Sequence, residues 1–184
     1  MLRFRIQGTP NPQARKYIVN AELKTQGKIS YQSAAECAHV PLAHALMSVP
    51  HVTQVHIFEN VLTLTQDGRE DWGLLDQNTQ DVMREHIEAH DPHFEERIAG
   101  ASVVDRSSWS DEMHELDAIL ERTLRPSLQA DGGDVEIMGY ENNILTVRYQ
   151  GACGGCPSSM TATLDAMKQI LRDETSRAIE VVVI

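Results

Sequence analysis

Apolar and polar positions alternate from the start of the chain. Arg3–Gln7 and Lys16–Ala21 both read as strands. Between them, Gly8-Thr9-Pro10-Asn11-Pro12 packs two prolines and a glycine into five residues. Proline fixes φ and removes a donor, so this stretch must turn. Pro41 suits the first turn of a short helix whose apolar positions are Leu42, Ala45, Leu46 and Val49. Val52, Val55 and Ile57, followed by Val61-Leu62-Thr63-Leu64-Thr65, predict two β-branched strands joined by a turn at Glu59-Asn60. Val82, Met83, His86, Ile87 and His90 then recur at helical spacing. A helix is therefore predicted from Asn78 to about His90, stopping before Asp91-Pro92.

Residues 91–110 hold no period and contain Gly100 and two consecutive serines. This break divides the chain into a first domain over 1–94, a linker over 95–110 and a second domain over 111–184. The second domain opens with a helix predicted from about Asp111 to Arg125. Acidic residues crowd its first turn, where the positive end of the helix dipole favours them. Met113, Leu116, Leu120 and Leu124 form its stripe, and Pro126 is expected to end it. Asp131-Gly132-Gly133-Asp134 signals a turn, expected to define the fold rather than to bind a metal. Val135–Tyr140 and Ile144–Gln150 form a hairpin through Glu141-Asn142-Asn143, since asparagine tolerates positive φ. Met160, Leu164, Met167, Ile170 and Leu171 mark an amphipathic helix, and Ala178–Ile184 ends in a strand expected to be buried. The fold class is α+β: two small domains, each a short mixed or antiparallel sheet packed with helices, the second running α-β-β-α-β.

Composition narrows the function. A chain of 184 residues with 41% hydrophobic and 23% charged residues is ordinary for a soluble globular protein. No apolar run approaches the ~18 residues of a membrane span. The strand-like N-terminus has no apolar core for a secretory signal, so the expected setting is cytoplasmic. A net charge of −11 argues against nucleic acid or anionic membrane as partners. That charge is uneven, with +3 over residues 1–66 and −14 over 67–184, which fits separate modules.

Three cysteines cannot make a disulfide framework, because one is left over. Cys37 reads as a small buried apolar residue. Cys153-Gly154-Gly155-Cys156 is the chemical signal, placed between a strand and a helix. Gly151, Gly154 and Gly155 let the backbone approach whatever the sulfurs hold. Pro157 fits the first helical position. Cys156 would then lie near a helix N-terminus, whose free N–H groups favour the thiolate that binds metal or attacks a disulfide. Three chemistries can use such a pair. A thioredoxin-like redox pair normally precedes more of its fold than the 28 residues that follow Cys156. A structural zinc ion needs four ligands, and no histidine follows His114 to complete a local set. An iron–sulfur cluster is commonly held by four thiolates, which two copies of the chain would supply.

The run LRPSLQADGGDVEIMGYENNILTVRYQGACGGCPSSMTATLDAMKQIL closely resembles the C-terminal NifU-type domain of the Nfu iron–sulfur carriers. The first domain resembles the Nfu N-terminal domain through Gln7-Gly8-Thr9-Pro10-Asn11-Pro12, Lys16-Tyr17 and Pro41-Leu42-Ala43-His44-Ala45-Leu46. It departs from that pattern at Gln13-Ala14-Arg15 and in a stretch around 67–110. The resemblance implies a non-enzymatic carrier whose 4Fe–4S cluster bridges a homodimer through Cys153 and Cys156 of each copy. An upstream scaffold would donate the cluster and apo iron–sulfur proteins would receive it. A thiol–disulfide oxidoreductase using the same pair is the alternative. The first domain, lacking a ligand motif, is expected to dock targets or shield the cluster. His86, His90 and His93 fall at i, i+4 and i+7, but Pro92 interrupts the face, and they are expected to be polar surface residues.

Overall fold

The structure is a computed structural model that describes residues 1–95, 106–155 and 157–184, without the side chains at 155–160. By its contacts the chain separates into two compact units, Met1–Val103 and Val104–Ile184. Each is an α+β unit built on one sheet. The predicted linker falls largely on residues outside the description.

The first unit contains β1 (Phe4–Gly8), β2 (Ala14–Val19), β3 (Lys28–Tyr31), α1 (Pro41–Met47), β4 (Val52–Phe58), β5 (Val61–Gln66) and α2 (Trp72–His86). Its strands form an antiparallel sheet in the order β1-β2-β5-β4-β3. Tyr17, Val19, Ile29, Tyr31, Val55, Ile57, Leu62 and Leu64 pack with Leu42 and Leu46 of α1 and Leu75 and Met83 of α2. Pro41 stands at the start of α1 as predicted. Helix α2 begins six residues before the predicted start, because Asp71 caps it: its carboxylate accepts from the Gly73 N–H at 2.7 Å. It ends at His86, and Ile87–Ala89 tightens into a 3₁₀ turn before Asp91-Pro92. Strand β3 was not predicted. Four residues with two apolar positions carry little pattern, and this strand is held by its ladder to β4.

The second unit contains α3 (Asp111–Thr123), α4 (Arg125–Ala130), β6 (Gly133–Glu141), β7 (Ile144–Gly151), a 3₁₀ turn (Ala152–Gly155), α5 (Pro157–Thr175) and β8 (Glu180–Val183). The sheet order is β6-β7-β8, antiparallel between β6 and β7 and parallel between β7 and β8. Ser110 caps α3 by accepting from the Met113 N–H. Pro126 does not end this helical region as expected. It sits in the first turn of α4, where its missing N–H costs nothing, so the domain has one more helix than predicted. The two-residue Asn142-Asn143 loop has φ of 51° and 62°, the left-handed pair a tight hairpin requires. The C-terminal strand is also corrected. β8 is an edge strand with one buried face: Val181 is 3% exposed, but Val182 is 41% and Ile184 63% exposed. Val135, Ile137, Leu145, Val147 and Tyr149 form the core side of the sheet, against Leu116, Ile119 and Leu120 of α3 and Met167 and Leu171 of α5.

Candidate metal centre at the end of the central strand

Strand β7 lies in the middle of the second sheet and delivers the chain to the cysteine turn. Gly151 ends it with φ of 59°, and Ala152–Gly155 follows as a 3₁₀ turn. The Ala152 N–H donates to the Gly132 carbonyl at 3.0 Å, tying this turn to the Asp131-Gly132-Gly133-Asp134 turn. Gly132, at φ 80°, ends α4 in the left-handed conformation.

Gly133 and Cys153 are in close contact. A Cβ on Gly133 would lie 2.2 Å from Cys153 Sγ, 2.8 Å from its backbone N and 3.0 Å from its Cβ. Only a glycine leaves room for the sulfur. The second turn thus supports the first sterically and through the Ala152–Gly132 hydrogen bond. Its sequence signal was the pair of glycines, but nothing in the sequence tells which one faces the thiol.

Cys153 itself is 5% exposed and belongs to the core of this unit. In this structure Cys153 is covered rather than open to solvent. Gly154 beside it is exposed, while the sulfur fills the space that the missing side chain of Gly133 leaves. Cys156 lies outside the described residues. Helix α5 does begin at Pro157, as predicted.

Tyr149 enters the core three residues before the turn. Its side chain is 5% exposed, and its hydroxyl is buried without a hydrogen-bond partner. Burial, and then the nearby Cys153 charge, push its phenol up to about 12.

Beneath the turns lies Arg125, 1% exposed. Its guanidinium donates to Asp117, to Glu121 at 2.8 Å and to the Val135 carbonyl at 3.1 Å, and lies 3.6 Å from the fully buried Asp134. Burial alone would push this group down, but the three carboxylates hold it charged and raise it. Asp134 also accepts from Gln129 at 3.0 Å. Arg125 thus joins α3, α4 and β6, where Asp134 follows the seat residue Gly133. Hydropathy patterning misses it, because a charged side chain scores as surface.

The other candidates separate. Cys37 is fully buried in the first unit, donates weakly to the Ser33 and Ala34 carbonyls and is pushed by burial up to about 11. That suits the packed residue expected. His90 bonds the Leu23 carbonyl at 2.7 Å and His93 the Thr25 hydroxyl at 3.0 Å, while His86 ends α2. Among the described residues, no three His, Cys, Asp or Glu side chains converge to hold a metal.

The chain matches two family models: "Scaffold protein Nfu/NifU N terminal" over residues 4–90 and "NifU-like domain" over residues 116–182. The NFU1 iron-sulfur cluster scaffold homolog, mitochondrial, of Drosophila virilis is 29% identical over 170 residues, covering 90% of this chain and 56% of that protein. NifU-like protein 5, mitochondrial, of Arabidopsis thaliana is 27% identical over 169 residues, with 90% and 62% covered. The chain spans a little over half the length of these relatives. The solution structure of a NifU-like protein from Saccharomyces cerevisiae superposes with a TM-score of 0.44 at 18% identity, over 55% of this chain and 87% of that one. The relatives are named as mitochondrial proteins, which overturns the cytoplasmic setting expected from the N-terminus. A strand-like opening carries no information about the compartment. No helix among the described residues is long and apolar enough to cross a membrane.

Proposed function

The chain belongs to the Nfu family, with an Nfu N-terminal domain in series with a NifU-like domain, and from that premise we propose that it carries an iron–sulfur cluster and passes it to apo-proteins. The cargo in this reading is a 4Fe–4S cluster held by Cys153 and Cys156 of two copies. Four thiolates are the common ligand set, and each copy offers two in this loop. Residues 111–184 form the binding domain, and the role is transfer rather than catalysis. An upstream scaffold supplies the cluster and apo iron–sulfur proteins accept it.

One observation carries the reading: Cys153 is held at a strand-to-helix turn against a glycine that only a missing side chain makes possible. A packing cysteine needs no such seat. The seat also says how loading must proceed. With Cys153 5% exposed, loading requires the Gly154-Gly155 part of the turn to rearrange so that the sulfur becomes accessible. Glycine makes that excursion cheap, because it visits both halves of φ space. A turn that must open to load can close again over an empty site, which suits a labile cargo.

The experiment is isolation of the full chain without oxygen, with iron and sulfide counts, Mössbauer spectra and mass in solution. A brown dimer with about four irons per pair of chains is expected, from four-thiolate ligation. Cys153→Ser and Cys156→Ser should each be colourless. A wild-type protein that stays colourless and monomeric under every loading condition would refute the proposal. Insulin reduction by such iron-free protein would install a thiol–disulfide oxidoreductase in its place.

A further inference from the structure

We propose that Tyr149 is a positioning residue for the cargo, its O–H donating to the Cys153 sulfur once that sulfur carries iron. This rests on the carrier reading above and adds to it a residue outside the cysteine pair.

The hydroxyl of Tyr149 is the starting observation. It is buried, on a side chain 5% exposed, and no acceptor meets it. Leaving a buried donor unmade costs on the order of 1–3 kcal/mol. Phenylalanine would fill the same core position without that cost, so packing alone gives no reason for the oxygen. Its location supplies one. Tyr149 shares the core side of β7 with Leu145 and Val147, faces Val135 across the ladder two residues along from Gly133, and belongs to the same packed cluster as Cys153. Gly133 closes on the same sulfur.

The chemistry fits a donor that waits for its acceptor. A neutral thiol is a weak acceptor. A thiolate bound to iron keeps lone pairs and negative charge, and it accepts hydrogen bonds well. A hydrogen bond to a ligand sulfur withdraws charge from the cluster, which raises its reduction potential, and it orients the ligand. The hydroxyl would then be satisfied in the loaded protein and unsatisfied in the empty one, so that loading gains a contact the empty chain lacks.

The test compares full-length wild type with Tyr149→Phe, both loaded anaerobically. Tyr149→Phe should move the midpoint potential of the bound cluster to more negative values and shift the iron–cysteine stretching bands in resonance Raman spectra. Cluster loss to an iron chelator should be about tenfold faster, the lower end of the effect of losing an outer-shell partner. The melting temperature of the empty protein should not fall, since an orphaned hydroxyl has been removed. A core role alone would move the melting temperature and leave the potential and the bands in place; that pattern overturns the proposal. If Tyr149→Phe disturbs folding, fluorotyrosine at position 149 keeps the shape and strengthens the donor. It must shift the potential in the opposite sense, and an unmoved potential overturns the proposal as well. A wild-type chain that binds no cluster defeats the carrier reading and this inference together. Normal loading beside an indistinguishable Tyr149→Phe defeats the tyrosine's role alone.

Discussion

Replacing Gly133 by alanine tests the seat under Cys153 with one methyl group. That methyl would stand 2.2 Å from Cys153 Sγ, 2.8 Å from the Cys153 N and 3.0 Å from its Cβ. Ordinary carbon contacts are optimal near ~3.5–4.0 Å, so the sulfur must retreat by more than about 1 Å. Rotating the side chain relieves only the first of these contacts. The backbone nitrogen is equally blocked, and the whole turn has to move, against the Ala152–Gly132 hydrogen bond. Overpacking of this kind costs about 1–3 kcal/mol. Urea unfolding of the empty protein should show that loss, and the loaded protein should release its cluster to a chelator faster than wild type. Gly139→Ala is the internal control. It lies in the same strand, at a register shift between Ile137 and Gly139, and a Cβ there meets nothing within 4 Å. It should leave cluster retention unchanged. Gly133→Ala with wild-type stability and retention would show that the contact with the sulfur does not exist in solution, and the seat would have to be abandoned.

Arg125→Met should destabilise the second unit by about 3–5 kcal/mol in urea unfolding, because it leaves the buried Asp134 carboxylate without its cation; a change within experimental error would refute the buried network. Cys37 gives a pH prediction of definite sign. Its folded value is raised from 9.0 to about 11, so the stability it contributes is complete below pH about 9 and is lost as pH rises towards about 11. Cys37→Ala should flatten that alkaline decline in denaturant midpoints, and an unchanged slope would refute it. A chain cut near residue 105 should still load a cluster but deliver it poorly to a recipient apo-enzyme; full delivery would remove the proposed docking role of the first domain.

Local chemistry made part of the fold legible. Asn142-Asn143 had to take two positive φ values between alternating runs, and Pro41 and Pro157 each open a helix where their φ and missing donor are harmless. The elements that escaped are held by partners distant in sequence. Strand β3 depends on β4, and the early start of α2 depends on a cap at Asp71 that precedes the apolar stripe. Pro126 was read as a stop because proline both ends and begins helices, and only the break at Leu124, where α3 ends and α4 starts, decides which. At the candidate centre, the spacing of Cys153 and Cys156 and the glycines between them were readable. The burial of Cys153 was not, since it follows from how the Gly132-Gly133 turn folds back across the sheet. Arg125 and Tyr149 were missed for a related reason: one is a charge in a core and the other a polar atom on an apolar ring, and residue type argues against both.

The turn hangs from the central strand of its sheet. β7 is laddered on both edges, to β6 along its whole length and to β8 over its first half, whereas Ala152–Gly155 lies past the end of the ladder, where the Ala152 N–H meets the Gly132 carbonyl. Amide protons of β7 should therefore exchange with solvent water only in global unfolding, while those a few residues later exchange through small local fluctuations. The arrangement is that of a rigid post with a loose tip. Under the proposed carrier role, opening at the tip leaves the post standing, and cargo can come and go many times in the life of one folded molecule.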